Sequence, residues 1–256
     1  MRALLTIAQG IAIGYVGLCA WLFLTQRSQI YFPVPESSPP GVQSIRLISG
    51  DAALKLWVVT RPGPLALIYF GGNAEDVSAS LPSFESAFPD HSLYLVNYRG
   101  YGGSTGKPSE PALLADAGVI FDHVHAAHSA ISIMGRSLGS GIAMQLASAR
   151  EIRRLVLVTP YDSLVNVARD HFPLFPVGLL MRDRYESASR APHIQAPVLA
   201  VIAGDDEIIP RARSLALVEA FPPTQVRVVV LEHATHNSID LFPEYLGAVR
   251  GFLSRE

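Results

Sequence analysis

Along most of the chain, short continuous apolar runs alternate with longer stretches whose apolar residues recur at helical spacing. The runs Leu65–Phe70, Leu93–Asn97, Ile131–Met134, Leu155–Val158, Val198–Ala203 and Val226–Leu231 are rich in β-branched or aromatic residues. Their shortness predicts strands. Val42–Ile48 and Leu54–Val59 read as two more, close enough in sequence to pair. Glu75–Phe88, Ala112–Ala127, Leu138–Ala149, Arg211–Phe221 and Phe242–Leu253 are the predicted helices. Continuous apolar strands alternating with helices imply an α/β fold, a mostly parallel sheet covered on both faces. Residues 161–196 break the rhythm. Pro173, Pro176 and Pro192 lie there among short helical pieces carrying Phe172, Leu174, Phe175 and Leu179. This segment is expected to be a cap-like insertion over one end of the sheet.

A different pattern occupies the N-terminus. From Ala3 to Leu24 there are 22 residues without a formal charge, flanked by Arg2 and Arg27. As a helix the run would be ~33 Å long, enough for a ~30 Å hydrocarbon core. Residues 1–32 are therefore expected to form a membrane anchor, with Trp21 and Tyr31 near an interface. No small-residue cleavage site follows the run, and Leu18 stands before Cys19 where a lipoprotein signal wants a small residue. Arg2 and Arg27 nearly balance, which leaves the side of the membrane open. Residues 33–41 contain four prolines and read as a linker. Residues 42–256 are then the folded domain, and the anchor is expected to contribute nothing to its chemistry.

Composition narrows the function. Of 256 residues, 49% are hydrophobic and 16% charged, too apolar for disorder. A formal net charge of -2 argues against nucleic acid, whose phosphates demand a concentrated excess of Lys and Arg. The single cysteine, Cys19, rules out an intramolecular disulfide and any Cys-based zinc site.

The pattern Gly-x-Ser-x-Gly occurs twice, and alone it is weak. Gly135-Arg136-Ser137-Leu138-Gly139 lies between a predicted strand and a predicted helix. That context suits a nucleophile elbow, in which small neighbours permit a strained serine above a helix N-terminus. Gly102-Gly103-Ser104-Thr105-Gly106 is followed by Lys107-Pro108, with no immediate helix, and reads as a glycine-rich loop.

A serine hydroxyl needs a histidine to take its proton, and the histidine needs a carboxylate to fix its tautomer. In strand–elbow hydrolases the chain order is Ser, acid, His. His236, in the loop between the last predicted strand and helix, fits that order better than His233. For the acid, Asp205, Asp206 and Glu207 follow the strand Val198–Ala203, and spacing leaves the choice open. His123, His125 and His128 lack one-face metal spacing and read as a solvated helix end. Phe70-Gly71-Gly72-Asn73-Ala74-Glu75 ends one strand and could turn backbone N–H groups toward the elbow. The N–H of Leu138, directly after the nucleophile, is the other natural oxyanion donor.

These residues resemble the α/β-hydrolase superfamily, and within it the membrane-anchored serine esterase and acyl-thioesterase-like branch. The resemblance covers about residues 42–253. It rests on Tyr69–Ala74, Asn97–Ser104, Gly135–Gly139, Asp206–Pro210 and Thr235–Asn237, in that order. It implies Asp206 as the acid, four residues before Pro210, and the N–H of Asn73 as the second oxyanion donor. Gly71 stands where many relatives carry histidine. The implied reading is a serine hydrolase of carboxylic esters or thioesters using Ser137, Asp206 and His236, with no metal or cofactor. Its expected partners are a small or lipid-like acyl substrate and a membrane, and no nucleic acid. The insertion would wall an acyl pocket above Ser137. A peptidase or amidase on the same triad, or a non-catalytic membrane scaffold on an inherited fold, are the alternatives.

Overall fold

The structure is a computed structural model and describes residues 1–255. Eight strands form one sheet: β1 (Gln43–Ser49), β2 (Ala52–Val59), β3 (Leu65–Phe70), β4 (Ser92–Val96), β5 (Ala130–Arg136), β6 (Arg154–Val158), β7 (Val198–Ala203) and β8 (Val226–Leu231). Their spatial order is β1-β2-β4-β3-β5-β6-β7-β8. The β1–β2 and β2–β4 pairs are antiparallel; all the others are parallel. The helices are α1 (Arg2–Ile30), α2 (Leu81–Ala87), α3 (Glu110–His125), α4 (Leu138–Ala149), α5 (Leu164–His171), α6 (Val177–Leu180), α7 (Arg211–Glu219) and α8 (Pro243–Leu253).

Strands β3 to β7 are buried on both faces, as their continuous apolar composition predicts, while β8, at the sheet edge, is half exposed. On β3, Ala66, Ile68 and Phe70 join the core beneath α3, α4 and α7, while Leu67 and Tyr69 join the core beneath α2 and α8. Alternation of side chains along a strand divides one hydrophobic run between two layers. The predicted helix over 75–88 begins later than its pattern suggests. Asp76 accepts a bond from the Ser78 N–H and opens a single 3-10 turn, Val77–Ser80, and α2 follows with Pro82 in its first turn. Residues 71–76 are thereby released as a loop.

The N-terminal region differs from a free anchor and linker. Along its second half, from Tyr15 on, α1 docks on the insertion. Arg27 makes two bonds to Asp183, at 3.0 and 3.1 Å, and the Tyr31 hydroxyl donates to Asp183 Oδ2 at 3.0 Å. Tyr31 is buried rather than interfacial. Burial raises its phenol well above the ordinary value, so it remains a proton donor. Residues 33–41 carry no regular structure yet are tied down. Gly102 N–H donates to Val34 O (2.9 Å), Lys55 pairs with Glu36 (2.8 Å) and Ser37 bonds Asp76 (3.1 Å). Proline excludes these residues from helix and sheet without making them mobile.

His128 also departs from expectation. It lies just beyond α3, buried, with Nε2 3.1 Å from the Tyr94 hydroxyl. The loop Asn97–Ser104 is fixed by an internal ion pair. Arg99 makes a two-pronged bond to the buried Asp116 of α3, at 2.7 and 2.5 Å. Ser104 of the second Gly-x-Ser-x-Gly donates to Asn97 O and accepts from Lys55 N–H, so it braces this loop.

Asp116→Ala leaves the Arg99 guanidinium buried without its main partner, and is expected to cost about 3 kcal/mol or more. Denaturant melting measures it; a loss below about 1 kcal/mol, the range of exposed pairs, would contradict the packing described.

Candidate active site

Four strand ends deliver the site to one edge of the sheet. β5 ends at Arg136 and the chain turns through Ser137 into α4. Ser137 has φ 51° and ψ -118°, a strained conformation for a residue with a side chain. The flanking glycines explain how the turn is reached. A Cβ on Gly139 would run into the carbonyl oxygens of Phe70 and Gly71, and one on Gly135 into the Gly139 carbonyl. The turn is further closed by Ser137 N–H to Val158 O at 2.9 Å and Ser140 Oγ to Ser137 O at 2.6 Å.

After β7, Asp206 accepts from Ile208 N–H (3.0 Å) and Ile209 N–H (2.7 Å), which fixes its carboxylate. After β8, the His236 loop is tied to that turn by Asp205 N–H to Ala234 O at 3.0 Å. His236 Nδ1 then lies 2.8 Å from Asp206 Oδ2 and 3.0 Å from Oδ1, and its Nε2 lies 2.9 Å from Ser137 Oγ. The Asp206 and His236 side chains are almost wholly buried, at 2% and 7% exposure. With the carboxylate at Nδ1, the ring proton sits there and Nε2 is left to accept from the serine. By contrast Asp205 and His233 are exposed and 4.0 Å apart.

A cavity of about 410 Å³ opens over Ser137, lined among others by Phe32, Gly72, Asn73, Ile208, His236 and Asn237. Gly72 lies beside the serine: a Cβ on it would be in ordinary contact with that of Ser137 and crowd Glu75 Oε2 at 3.2 Å. Asn73 thus reaches the cleft that its strand-to-helix position predicts. Leu138 is the first residue of α4, where an N–H has no intrahelical partner. A larger depression, about 610 Å³, lies at the opposite end of β5 around Asp122, His125 and Arg150. It brings no serine and histidine into hydrogen-bond contact, and strand C-terminal ends are the usual ligand side of such sheets.

Motif spacing does not single out several residues that shape this cleft. Glu75 accepts from Gly72 N–H (2.6 Å) and from the Tyr69 hydroxyl (2.7 Å). Burial first, then the Glu75 charge, raises the Tyr69 phenol well above its ordinary value, so it stays a donor. Arg136 approaches Glu75 at 3.8 Å and donates to His236 O at 3.2 Å. The sequence signal for the pair is a charged residue in each of two separate glycine-containing turns, Glu75 after Gly71-Gly72 and Arg136 between Gly135 and Ser137. The N-terminal segment also takes part, against expectation. Asn73 Nδ2 donates to Ile30 O (2.6 Å), and Asn73 Oδ1 accepts from Phe32 N–H (3.0 Å) and the Tyr101 hydroxyl (2.8 Å). The insertion, in turn, does not wall the cleft at Phe172 and Phe175. Those side chains line a separate groove against Leu22, Gln26 and Ile30, because α1 offers them a nearer apolar surface.

With this geometry in place, comparison with known proteins decides the family. A family model described as serine hydrolase (FSH1) matches residues 84–239, more than half of the chain. The chain belongs to the serine hydrolase family of the alpha/beta-hydrolase superfamily. An uncharacterized protein of Mycobacterium tuberculosis is 34% identical over 95% of this chain and 92% of its own length. Alpha/beta hydrolase domain-containing protein 17C of Xenopus tropicalis is 28% identical, over 92% of this chain and 76% of its own. The fold of the Pyrococcus furiosus esterase Pf2001 superposes with a TM-score of 0.71 at 18% identity, covering 88% of this chain and 98% of the esterase. As a member of the serine hydrolase family the chain is a hydrolase.

Asn73→Ala would remove the side chain that joins the Gly71–Glu75 loop to Ile30 and Phe32. Amide exchange at Phe32 is expected to quicken by about tenfold or more, with a global stability loss of only about 1–3 kcal/mol. Unchanged exchange at Phe32 would mean that the clamp holds nothing.

Proposed function

We propose that this hydrolase cleaves carboxylic ester or thioester bonds through Ser137, His236 and Asp206. The observation that carries the reading is the continuous chain of contacts from Asp206 through His236 to Ser137, 2.8 Å on one side of the ring and 2.9 Å on the other. Ser137 Oγ attacks the acyl carbonyl carbon as His236 Nε2 takes its proton. Asp206 holds the ring and stabilises the imidazolium. The N–H groups of Leu138 and Asn73 receive the oxyanion, where fixed dipoles act without reorganising. The imidazolium then protonates the departing alcohol or thiol, leaving an acyl-enzyme. Water, deprotonated by the same Nε2, attacks that acyl group; the serine recovers its proton and the acid leaves.

The reading extends to the membrane, with α1 as a single-pass anchor. One 29-residue helix, Arg2–Ile30, is long and apolar enough to cross a bilayer. Only 6% of its most apolar window is buried in the protein, which speaks against a core helix. Thr6 and Thr25 return their hydroxyls to helix carbonyls four residues back, as polar groups in hydrocarbon require. A cleaved signal is disfavoured because Gln26, Arg27 and Tyr31 are built into the domain.

Asp206→Asn is expected to lower kcat by about 10⁴-fold, as a lost orienting charge does in related triads. Asp205→Asn, remote from the proton transfer, should cost about tenfold or less. Ser137→Ala and His236→Ala calibrate the floor, on acyl esters and thioesters of graded chain length, with folding checked by circular dichroism. Inactive Asp205→Asn beside a near-normal Asp206→Asn would overturn the assignment of the acid. Turnover of neither ester nor thioester by the wild type would overturn the substrate class.

A further inference from the structure

The tip of the insertion presents an apolar surface that catalysis does not explain. Phe172, Leu174 and Leu179 are 55%, 81% and 86% exposed. They stand beside α1, and the two segments follow each other in depth. At the far end the Tyr15 hydroxyl donates to Leu174 O (2.7 Å) and its ring stacks on Phe175 at 6.0 Å. At the near end Gln26 Nε2 donates to Leu180 O (2.9 Å) and Gln26 Oε1 accepts from Arg182 N–H (2.7 Å). From Tyr15 to Gln26 the helix axis advances about 16 Å, at about 1.5 Å per residue.

Polarity changes at the same level on both segments. Where α1 is apolar, the insertion exposes Phe172 and Leu174; Leu179 is nearer the polar level, since Arg184 Nη1 donates to Gly178 O at 2.8 Å. Where α1 turns polar at Gln26 and Arg27, the insertion turns polar at Arg182 and Asp183, with Arg182 over the Phe23 ring at 4.1 Å and Arg27 on Asp183. The Tyr15 hydroxyl sits well inside the uncharged run, and it has a carbonyl partner, as a hydroxyl removed from water must. A water-facing tip would give no reason for this matched boundary.

We propose that the insertion tip around Phe172, Leu174 and Leu179 is embedded in the bilayer, in the leaflet next to the hydrolase domain. The bilayer hydrocarbon is its partner. The proposal rests on the reading of α1 as a span. It places the groove between α1 and the insertion, about 210 Å³ and lined on α1 from Leu22 to Ile30, across the level where the hydrocarbon meets the polar boundary. Both walls of that groove adjoin the catalytic cleft: Ile30 O is held by Asn73, and His171, next to Phe172, bonds Ile208 O at 2.8 Å. A lipid-borne acyl group therefore has a short path from leaflet to Ser137.

The test uses the full chain in phosphatidylcholine vesicles whose acyl chains carry bromine, a short-range quencher of tryptophan. Wild type reports through Trp21, because Trp57 is buried in the core. Trp21→Phe gives the Trp57 baseline, and Leu174→Trp in that background reports on the tip. Both positions are exposed, and retained hydrolysis of a short soluble ester shows that the variants fold. The expected result is loss of most of the Trp21 emission and of most of the emission added at position 174. Leu179→Trp should behave alike and serves if the first variant does not fold. Quenching at Trp21 with none at 174 or 179 would overturn the embedded tip while leaving the anchor intact. Blue-shifted but unquenched emission at both tip positions would mean that protein covers them, and would also overturn it. No quenching at Trp21 would overturn the span, and the proposal with it.

Discussion

The backbone of Ser137, at φ 51° and ψ -118°, can persist only where its surroundings over-determine it. Here those surroundings are the first turn of α4 pressed against the end of β3, with Gly139 under the Phe70 and Gly71 carbonyls. The strained turn has three consequences at once. It lifts the serine hydroxyl above the sheet edge, leaves the Leu138 N–H pointing from a helix start, and brings Gly72 against Ser137. Any larger residue at 139 would separate α4 from β3 and undo all three.

The remaining parts of the site are loops whose roots are fixed by the sheet order. β7 and β8 are neighbours, so the Asp206 and His236 loops can be bonded to each other before either meets the serine. Arg136 reaches from the end of β5 to the His236 carbonyl, and Glu75 holds Gly72. The cleft is thus a convergence of strand ends around one turn, and Ile30 and Phe32, at the end of α1, complete it through Asn73. The C-terminal end of α1 is thereby a structural neighbour of the cleft.

Much of this was legible in residue order. Three of the predicted strands, at 65–70, 198–203 and 226–231, and the helix at 138–149 agree with the structure to the residue, because buried parallel strands are written as continuous β-branched runs and the elbow glycines punctuate them. Loop position, just before the last helix, together with chain order favoured His236 over His233, and the structure puts the former at hydrogen-bond distance from Ser137. What periodicity could not convey is long-range pairing. Tyr31 looks interfacial until Asp183 and Tyr185 meet it from the other end of the chain. Phe172 and Phe175 are apolar residues near the site in sequence order, but which apolar surface they face depends on where α1 docks. Asn73 and Glu75 advertise a turn, while the partners that make them useful lie 43 residues away at Ile30 and on a different strand at Arg136.

The proposed mechanism requires that Ser137 be acylated during turnover. Rapid acid quenching of the full chain during hydrolysis of a slowly deacylated ester, followed by peptide mass analysis, tests it directly. The substrate's acyl mass is expected on the peptide containing Ser137, and is expected to be absent from Ser137→Ala. An acyl mass on another residue, or steady turnover that persists in Ser137→Ala, would contradict it.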